Sequence, residues 1–549
     1  MWMIFVFLWH LNLLKKIIAL KENLQALFSK ADSLSIVFEK SKSELVYFSK
    51  KKIPYTDSLQ LDNFSLEPST SVKWLGIWLQ HRLSFQIHVE KRMHLAQGAM
   101  QRLLQISSKT KGLGFNALRQ LYLTCIIPVL DYGSVLWYNR YGTEKLSKMC
   151  DMLQKHALHI MTGAYRSSPI KALEVEAALL PTRVRHFKQS SFYALRILKL
   201  QVNHPIYQAL SSKLQDELDF PSETVDLGMF AFLDEKPSGQ LLRIALLLKP
   251  LTKHVKLEIV NAKWSPPWRE DNLSISISKS NKSKAKEEHL EFLESIPPSH
   301  FIVYTDGSLV KDNGCGIGIT IYFPYTRELK SLSYNLGDRI GIADAESYAI
   351  FKALLFINQT QKNACCYIFF DSQAAILRIS KSNNFSSFKV RSLSSKMDVK
   401  IHWCPGHQGI EGNELADNLA RKSLDQPAMK KHQYTSYSFL VEGIRKNILQ
   451  AWDSDWTKQV LREEEGRKAI GLGKFYRTSA RISIPSFNTK AINLSKFSRQ
   501  TQTSFFQART GIGNTLAHLY CQGVDLSSDH MISLILVWVS HIVKAIDAL

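Results

Sequence analysis

Residues 301–424 contain an order of predicted elements that few folds accommodate. Short apolar runs predict strands at Phe301–Thr305, Gly314–Phe323 and Glu328–Leu336. Periodicity then predicts an alternation: a helix at Ala343–Asn358, a strand at Cys365–Phe370, a helix at Asp371–Ser380, a strand at Met397–Trp403 and a helix at Asn413–Leu424. Three antiparallel strands followed by alternating strands and helices indicate an α/β fold, a mixed sheet with helices on its faces.

Four carboxylates lie where these elements begin or end. Asp306 is predicted to end the first strand, Glu346 lies in the first turn of a helix, Asp371 ends the fourth strand, and Asp417 lies one turn into the last helix. Carboxylates from neighbouring strand ends converge, and their repulsion raises each other's pKa unless cations neutralise it. Mg²⁺ or Mn²⁺ prefers such oxygens, and two ions about 3.5–4 Å apart activate water against a phosphodiester.

Each carboxylate also has a purely structural interpretation. Asp306 before a glycine begins a turn, Asp371 caps a helix, and Glu346 is a surface residue near a helix start; singly, these roles are the more common ones. Together they must explain four carboxylates in order, each at an element boundary, within 112 positions. The combination therefore favours a metal site, and His407, in a glycine-flanked loop before Asp417, is placed to move a proton or release product there.

The same region resembles the ribonuclease H family, in the version carried by non-LTR retrotransposons. The motifs are Tyr-Thr-Asp-Gly-Ser at 304–308, Ala-Glu-x-x-Ala at 345–349, Phe-Asp-Ser-Gln-Ala-Ala at 370–375, and Trp-x-Pro-Gly-His-x-Gly-x-x-Gly-Asn-Glu-x-Ala-Asp at 403–417. The resemblance implies endonucleolytic cleavage of the RNA strand of an RNA–DNA hybrid with two Mg²⁺ ions, with Mn²⁺ as the alternative. It implies Asp306, Glu346, Asp371 and Asp417 as metal ligands, His407 as a catalytic mobile-loop histidine, and Gly307, Ser308, Gln373 and Asn413 as positions that touch or support the hybrid.

The first 165 residues resemble the downstream part of a retrotransposon reverse transcriptase. The resemblance rests on Lys42–Glu44, Trp74–Leu79 followed by His88, and Pro128–Gly133 with Trp137. Here periodicity predicts short strands at Glu44–Phe48 and Val72–Leu79 and helices at His88–Gln105, Asn116–Tyr138 and Lys145–Met161.

A polymerase of that family needs paired aspartates in a hairpin. No Asp-Asp pair occurs here and the first aspartate is Asp32, so the fingers and catalytic palm are expected to lie before Met1. We expect a mostly helical palm and thumb remnant without polymerase activity. Our hypothesis is that this remnant binds a template–primer duplex.

Proline and lysine content suggests the domain boundaries. Ser278–Lys286 is short, basic and low in complexity, which is typical of a solvated linker, and Ile296–Pro298 closes it. The predicted divisions are 1–165 for the reverse-transcriptase remnant, 166–298 for a connecting region and linker, 299–425 for the ribonuclease H domain and 426–549 for a helical C-terminal region.

Charge and cysteine content limit the classes of partner and the cellular setting that the sequence favours. The net charge of +22 favours a polyanion such as nucleic acid, although a generally basic surface gives the same number. Seven cysteines without C-x-x-C spacing favour a reducing, intracellular setting. No zinc site is expected, because the C-terminal tail has only two residues at places comparable to the family's zinc ligands, Cys521 and His530, and two ligands cannot complete a tetrahedral site. The apolar ends Met1–Leu14 and Met531–Val543 are too short to span a bilayer, so no membrane partner is expected; weak association stays open. Nucleus and cytoplasm are not distinguished, nor is the oligomeric state.

Two other functions compete with the enzyme. The first is a catalytically dead retroelement relic that keeps the fold and only binds nucleic acid. The second is a structural or regulatory hybrid-binding protein, which only the basic composition supports. The intact set of four carboxylates and His407 favours the enzyme.

Overall fold

The computed structural model describes residues 13–35, 43–49, 52–61, 64–138, 144–198, 200, 204–206, 208–209, 256–257, 273–278, 280–310, 314–381, 385–429, 434–469 and 493–509. The chain divides into two compact units. Met1–Gln189 and Leu449–Leu549 form the first unit, and Ser190–Ile448 forms the second.

The first 200 residues are mostly helical, with two short antiparallel hairpins. The hairpins pair β1 (Leu59–Leu61) with β2 (Phe64–Leu66) and β3 (Ser71–Trp74) with β4 (Ile77–Gln80). The helices are α1 (Leu13–Ser33), α2 (Gln86–Gln105), α3 (Phe115–Leu121), α4 (Ile127–Leu130), α5 (Ser134–Trp137), α6 (Glu144–Thr162), α7 (Ile170–Glu176) and α8 (Thr182–Leu198), with a π-helical turn at Tyr122–Ile126.

A buried polar cluster around Asp131 connects these helices. The Arg185 guanidinium donates to both Asp131 oxygens, at 2.6 and 3.0 Å, and Nε2 of His186 lies 3.0 Å from Oδ1. Gln189 Nε2 donates a further hydrogen bond at 2.9 Å. Burial raises the pKa of Asp131, but the charges of Arg185 and His186 outweigh it and hold that pKa well below its ordinary value.

The structure changes three predictions in this part of the chain. Val72–Leu79 is a hairpin rather than one strand, because Gly76 turns the backbone with φ +81°. Asn116–Tyr138 is divided by the π-helical turn and by a turn that ends at Gly133. Glu44–Phe48 is extended chain with a single bridge from Leu45 to Pro68.

The second unit is built on a six-stranded sheet with the order β6-β11-β10-β7-β8-β9. Its elements are β5 (Lys256–Leu257), β6 (Leu273–Ser276), α9 (Lys282–Ser295), β7 (Phe301–Val310), β8 (Gly314–Tyr322), β9 (Leu329–Gly337), α10 (Ile342–Thr360), β10 (Cys365–Phe370), α11 (Gln373–Lys381), α12 (Phe385–Ser394), β11 (Asp398–Trp403), α13 (Glu411–Lys422) with a 3₁₀ turn at Ser423–Asp425, and β12 (Tyr434–Thr435). Two further helices are α14 (Tyr437–Ala469) and α15 (Arg499–Arg509).

Both faces of the sheet are covered, which explains its near-continuous apolar strands. Val303 packs on one face with Ile350 and Leu354 of α10, whereas Tyr304 packs on the other face with Phe369. Strands β7, β8 and β9 pair antiparallel, and β7, β10, β11 and β6 pair parallel. The predicted mixed sheet with flanking helices is confirmed.

Three details of this unit differ from the prediction. Strand β7 continues to Val310, so Asp306 lies inside it rather than at its end. The predicted linker Ser278–Lys286 is helical from Lys282, where Asn281 caps α9 by accepting from the Lys284 backbone N–H at 3.0 Å. Strand β6 adds to the sheet from before the predicted boundary at 298.

Several predictions lie outside the described residues. These include most of Met1–Leu14, the segment Met531–Val543, and the pair Cys521 and His530. Within the described residues, no helix has both the length and the apolarity that crossing a membrane requires.

Helix α13 packs on β8 with its backbone close to the strand. An added Cβ at Gly318 would overlap the Ala416 carbonyl and lie 2.6 Å from the Ala420 nitrogen. We predict that Gly318→Ala lowers the free energy of unfolding of the second unit by about 1–3 kcal/mol through overpacking. Chemical denaturation of the full chain, followed by a probe in this unit, measures the change.

Gly443→Ala is the matched control for that variant. Gly443 lies inside α14, and among the described residues no heavy atom lies within 4 Å of the position that an added Cβ would take. The control should be stabilising by about 0.5–1 kcal/mol, because alanine is the better helix former. Equal effects of the two substitutions would contradict the close packing of α13.

Candidate metal centre

The parallel pairing of β7 with β10 places two carboxylates side by side. Tyr304 is the register partner of Phe369, and two residues further along each chain come Asp306 and Asp371. Asp306 is paired with Gly318 of β8 on its other side. Asp371 directly follows β10, as predicted.

Two helices bring the other carboxylates. A Cβ added at Gly307 would lie 3.0 Å from Glu346 Cγ and 3.4 Å from the Glu346 backbone nitrogen, so α10 packs directly on the strand beside Asp306. Asp417 lies in α13, where Arg421 donates to its Oδ2 at 2.7 Å. Its charge acts on both Asp306 and Asp371.

The electrostatics show a negative cluster that nearby cations compensate only in part. Burial, and then the charges of Asp371, Asp417 and Glu346, raise the pKa of Asp306 to about 8, although the Gly307 N–H donates to its Oδ1 at 2.7 Å. Burial also raises the pKa of Asp371, as does Asp417, while the His407 and Lys282 charges oppose the rise. A carboxylate cluster with raised pKa values attracts cations.

The donor set fits hard divalent cations. All four groups offer carboxylate oxygens, which Mg²⁺ and Mn²⁺ prefer. No three of them have ligand atoms that all lie within 4.8 Å of one another. A bound cation would offset the mutual repulsion of the four carboxylates. Asp306, Glu346, Asp371 and Asp417 are therefore the residues that would hold such an ion.

The loop before α13 borders this cluster. His407 is exposed and has φ +57°, and Gly406 packs so closely that an added Cβ would overlap the Asp371 carboxylate. The loop is anchored further along, where the Gly409 N–H donates to Glu414 Oε1 at 2.8 Å. An exposed imidazole on an anchored loop beside a carboxylate can exchange protons with solvent.

The four predicted substrate positions have different surroundings. Gly307 and Ser308 follow Asp306 on β7 and are half-buried, and Gln373 is exposed at the start of α11. Asn413 is buried, and its Oδ1 accepts a hydrogen bond from the Cys404 thiol at 3.3 Å. That contact suits support of the loop and α13 rather than contact with a ligand.

Sequence reasoning missed residues that support or border the site. The Trp403 indole donates to the Asp371 carbonyl at 2.8 Å and fixes the chain where β10 ends. Lys282 influences the Asp371 carboxyl, and Lys286 Nζ lies 3.6 Å from where a Cβ of Gly409 would be. These lysines lie in the segment interpreted as a linker; their spacing of four residues, typical of one helix face, was the available signal.

Comparisons with known proteins identify relatives of part of the chain. Residues 298–425 match the family model for ribonuclease H. The chain is 29% identical over 109 residues to a probable RNA-directed DNA polymerase from transposon BS of Drosophila melanogaster, covering 20% of this chain and 12% of that protein. It is 20% identical over 146 residues to a retrovirus-related Pol polyprotein from type-1 retrotransposable element R1 3 of Nasonia vitripennis, covering 26% of this chain and 38% of that protein.

Solved structures also resemble part of the chain. Ribonuclease H1 from the halophilic archaeon Halobacterium salinarum is 19% identical, covers 23% of this chain and 99% of its own, and has a TM-score of 0.21. The chain thus spans well under half the length of either curated relative, 12% and 38%.

Asp306→Asn tests the charge cluster without any assay of activity. The folded carboxyl has a pKa of about 8, above its ordinary 3.8, so protonation favours folding. This group's contribution to stability is full below about pH 4 and is lost as pH rises through about 8. Without divalent ions, the variant should melt roughly 2–8 °C above the wild type at pH 8 and equally at pH 4.

Thermal unfolding of the full chain in chelator, at both pH values, measures this difference. Asp338→Asn, an exposed carboxylate of the same unit, is the control and should leave the melting temperature unchanged at both. A lower melting temperature for Asp306→Asn than for the wild type at pH 8 would contradict the net repulsion among these carboxylates.

Proposed function

We propose that residues 298–425, which match the family model for ribonuclease H, hydrolyse the RNA strand of RNA–DNA hybrids at Asp306, Glu346, Asp371 and Asp417. The observation that carries the proposal is the convergence of these four carboxylates from four separate elements around β7 and β10. Neither a turn nor a helix cap explains why the other three carboxylates all raise the pKa of Asp306.

The residues have distinct proposed roles. Asp306 and Asp371 bind metal from the two paired strands, Glu346 orients the attacking water, and Asp417 completes the ligand set. Two Mg²⁺ ions, or Mn²⁺, held by these residues would supply activation of water and stabilisation of the leaving 3′-oxygen. His407, exposed on its loop, takes up or gives a proton at the imidazole and assists product release.

Recognition of the substrate rests on neighbouring groups. Gly307 and Ser308 follow Asp306 directly, so backbone and hydroxyl groups there can contact the 2′-OH that distinguishes RNA from DNA. Gln373 is exposed beside Asp371 and suits contact with the sugar-phosphate backbone. The net charge of +22 favours the polyanionic substrate.

Two retrotransposon proteins are similar to 20% and 26% of this chain. We propose that this sequence does not extend primers, because it has no Asp-Asp pair to hold the polymerase metals. A relic that only binds nucleic acid is the alternative. The intact set of four carboxylates and His407 favours the enzyme.

Asp371→Asn separates cleavage from binding. The substitution removes one ligand charge at half-buried Asp371 and should lower the rate on a labelled RNA–DNA hybrid by about 100-fold or more in Mg²⁺. Asp338→Asn should keep the wild-type rate. Filter binding of the hybrid in chelator should be equal for all three proteins, since none loses a positive charge.

The outcomes of this comparison separate the two functions. Cleavage confined to the RNA strand, lost in Asp371→Asn alone, supports the enzyme. A wild-type chain that binds the hybrid and cleaves nothing in Mg²⁺ or Mn²⁺ is the binding-only relic.

The basic face of α9 is expected to contribute to binding of the hybrid. Lys282 and Lys286 lie four residues apart, one influencing Asp371 and the other bordering the His407 loop. The double alanine variant should lower the slope of log affinity against log salt by about 1–2, as expected for the loss of one or two phosphate contacts, and raise KM for the hybrid. Affinity measured at several salt concentrations gives the slope.

Lys284→Ala is the matched control on the same helix. It removes the same charge from a position two residues from either lysine, on the other side of α9. An equal loss of slope in the control would show that overall charge, rather than this face, binds the hybrid.

A further inference from the structure

Three side chains of metal-binding type meet at the end of the sheet opposite the carboxylate cluster. His300 directly precedes β7, Cys365 begins β10 and Asp398 begins β11. Their ligand atoms all lie within 4.8 Å of one another, the one such group among the described residues. Cys365 lies six residues before Asp371 along an extended strand, a span of about 20 Å, so the two sites are separate.

The strand register holds this trio in place. Cys365 is the partner of Asp398, and Cys366 is the partner of Phe301, which puts His300 beside Cys365. Neighbouring strands lie about 4.8 Å apart, and residues in register point to the same face of a sheet. The backbone therefore orders the three ligands in a row before any ion binds.

We propose that His300, Cys365 and Asp398 form a second metal site, which binds Zn²⁺. A thiolate, an imidazole and a carboxylate are the donors that zinc combines, whereas Mg²⁺ avoids sulfur. Bonds of about 2.0–2.3 Å to zinc require the ligand atoms to draw together slightly from their present spacing. Three protein ligands leave one tetrahedral position for water.

The neighbouring residues suit this role. His300 and Cys365 are half-buried and Asp398 is exposed, so an ion can reach the site from solvent. The Ser299 hydroxyl lies 3.3 Å from His300 Nδ1, and a hydrogen bond there orients the ring, as partners of zinc-bound histidines do. Arg327 Nη1 donates to the His300 carbonyl at 2.9 Å and fixes the backbone of the ligand.

Lys400 is the competing group. Its Nζ lies 3.7 Å from an Asp398 oxygen and 3.1 Å from the Tyr367 hydroxyl, to which it donates. Zinc displaces this weak ion pair, and the Tyr367 hydrogen bond retains the ammonium group nearby. Removal of the Lys400 charge should therefore tighten zinc binding.

A bound ion would join the beginnings of β7, β10 and β11. Because the unfolded chain does not hold these residues together, binding would stabilise the folded unit. This role is structural and does not depend on hybrid cleavage.

Protection of Cys365 from alkylation tests the site in the full chain. We expect equimolar ZnCl₂ to slow iodoacetamide modification of Cys365 at least tenfold, read by peptide mass spectrometry, and to leave exposed Cys125 unchanged. His300→Gln and Asp398→Asn, at half-buried and exposed positions, should each weaken protection tenfold or more. Lys400→Gln should give protection at lower zinc concentration.

The controls separate zinc binding from other effects. Far-ultraviolet circular dichroism checks that each variant is folded, and MgCl₂ at millimolar concentration should give no protection. Absence of protection by ZnCl₂ in the folded wild type would falsify the site. Equal protection in His300→Gln and Asp398→Asn would assign the effect to cysteine thiols alone, and protection by MgCl₂ would assign it to the distant carboxylate cluster.

Discussion

The parallel pairing of β7 with β10 is the interaction on which the second unit depends. It places Asp306 beside Asp371, and it joins the antiparallel and parallel halves of the sheet. The same pairing forces like charges together in a buried place, which raises the pKa of Asp306 to about 8. The apolar packing on both faces must outweigh this repulsion. Part of the stability that the sheet gains by packing is therefore lost at the carboxyl ends of β7 and β10. A cation is the simplest way to recover it, which links the stability of the domain to its proposed chemistry.

Apolar pattern predicted the strands where burial is complete and failed where it is not. Cys365–Phe370 was predicted to the residue, because the run is apolar on both faces and Asp371 ends it. Strand β7 runs past Thr305 because the backbone continues to pair with β8 as far as Val310, although the side chains there are polar or exposed. The start of α9 was predicted as part of the linker Ser278–Lys286 because lysines dominate there, and only Ala285 and His289 of the helix are buried. Contacts such as Lys286 with the His407 loop depend on tertiary packing that no local pattern contains.

Residues on which the reverse-transcriptase resemblance rests also make structural contacts in the first unit. His88 accepts from the Trp78 N–H at 3.3 Å, and its Nε2 lies 2.8 Å from the Tyr132 carbonyl, so it connects α2 to β4 and to the turn after α4. Next to that turn, Asp131 binds Arg185. A buried ion pair adds little net stability, because each charge loses its hydration. It favours one specific fold, because only the correct partner compensates for that loss. These residues therefore fix one arrangement of helices, without assigning this half of the chain any activity.

The two ends of the parallel strands present different donors, and this difference decides which ions each end attracts. At the carboxyl ends, Asp306 and Asp371 offer only oxygen, in an excess of negative charge. At the amino ends, Cys365 adds sulfur and His300 adds nitrogen. No sequence motif marks the second group, because its members are 65 and 33 residues apart and only the register brings them together. A motif search finds sites whose ligands share a local pattern; a sheet also makes sites from residues that share nothing except their position along neighbouring strands. The carboxylates at the carboxyl ends would therefore favour Mg²⁺ or Mn²⁺, and the thiol and imidazole at the amino ends would favour Zn²⁺. Because the two sites share no ligand, binding at one would leave the ligands of the other available.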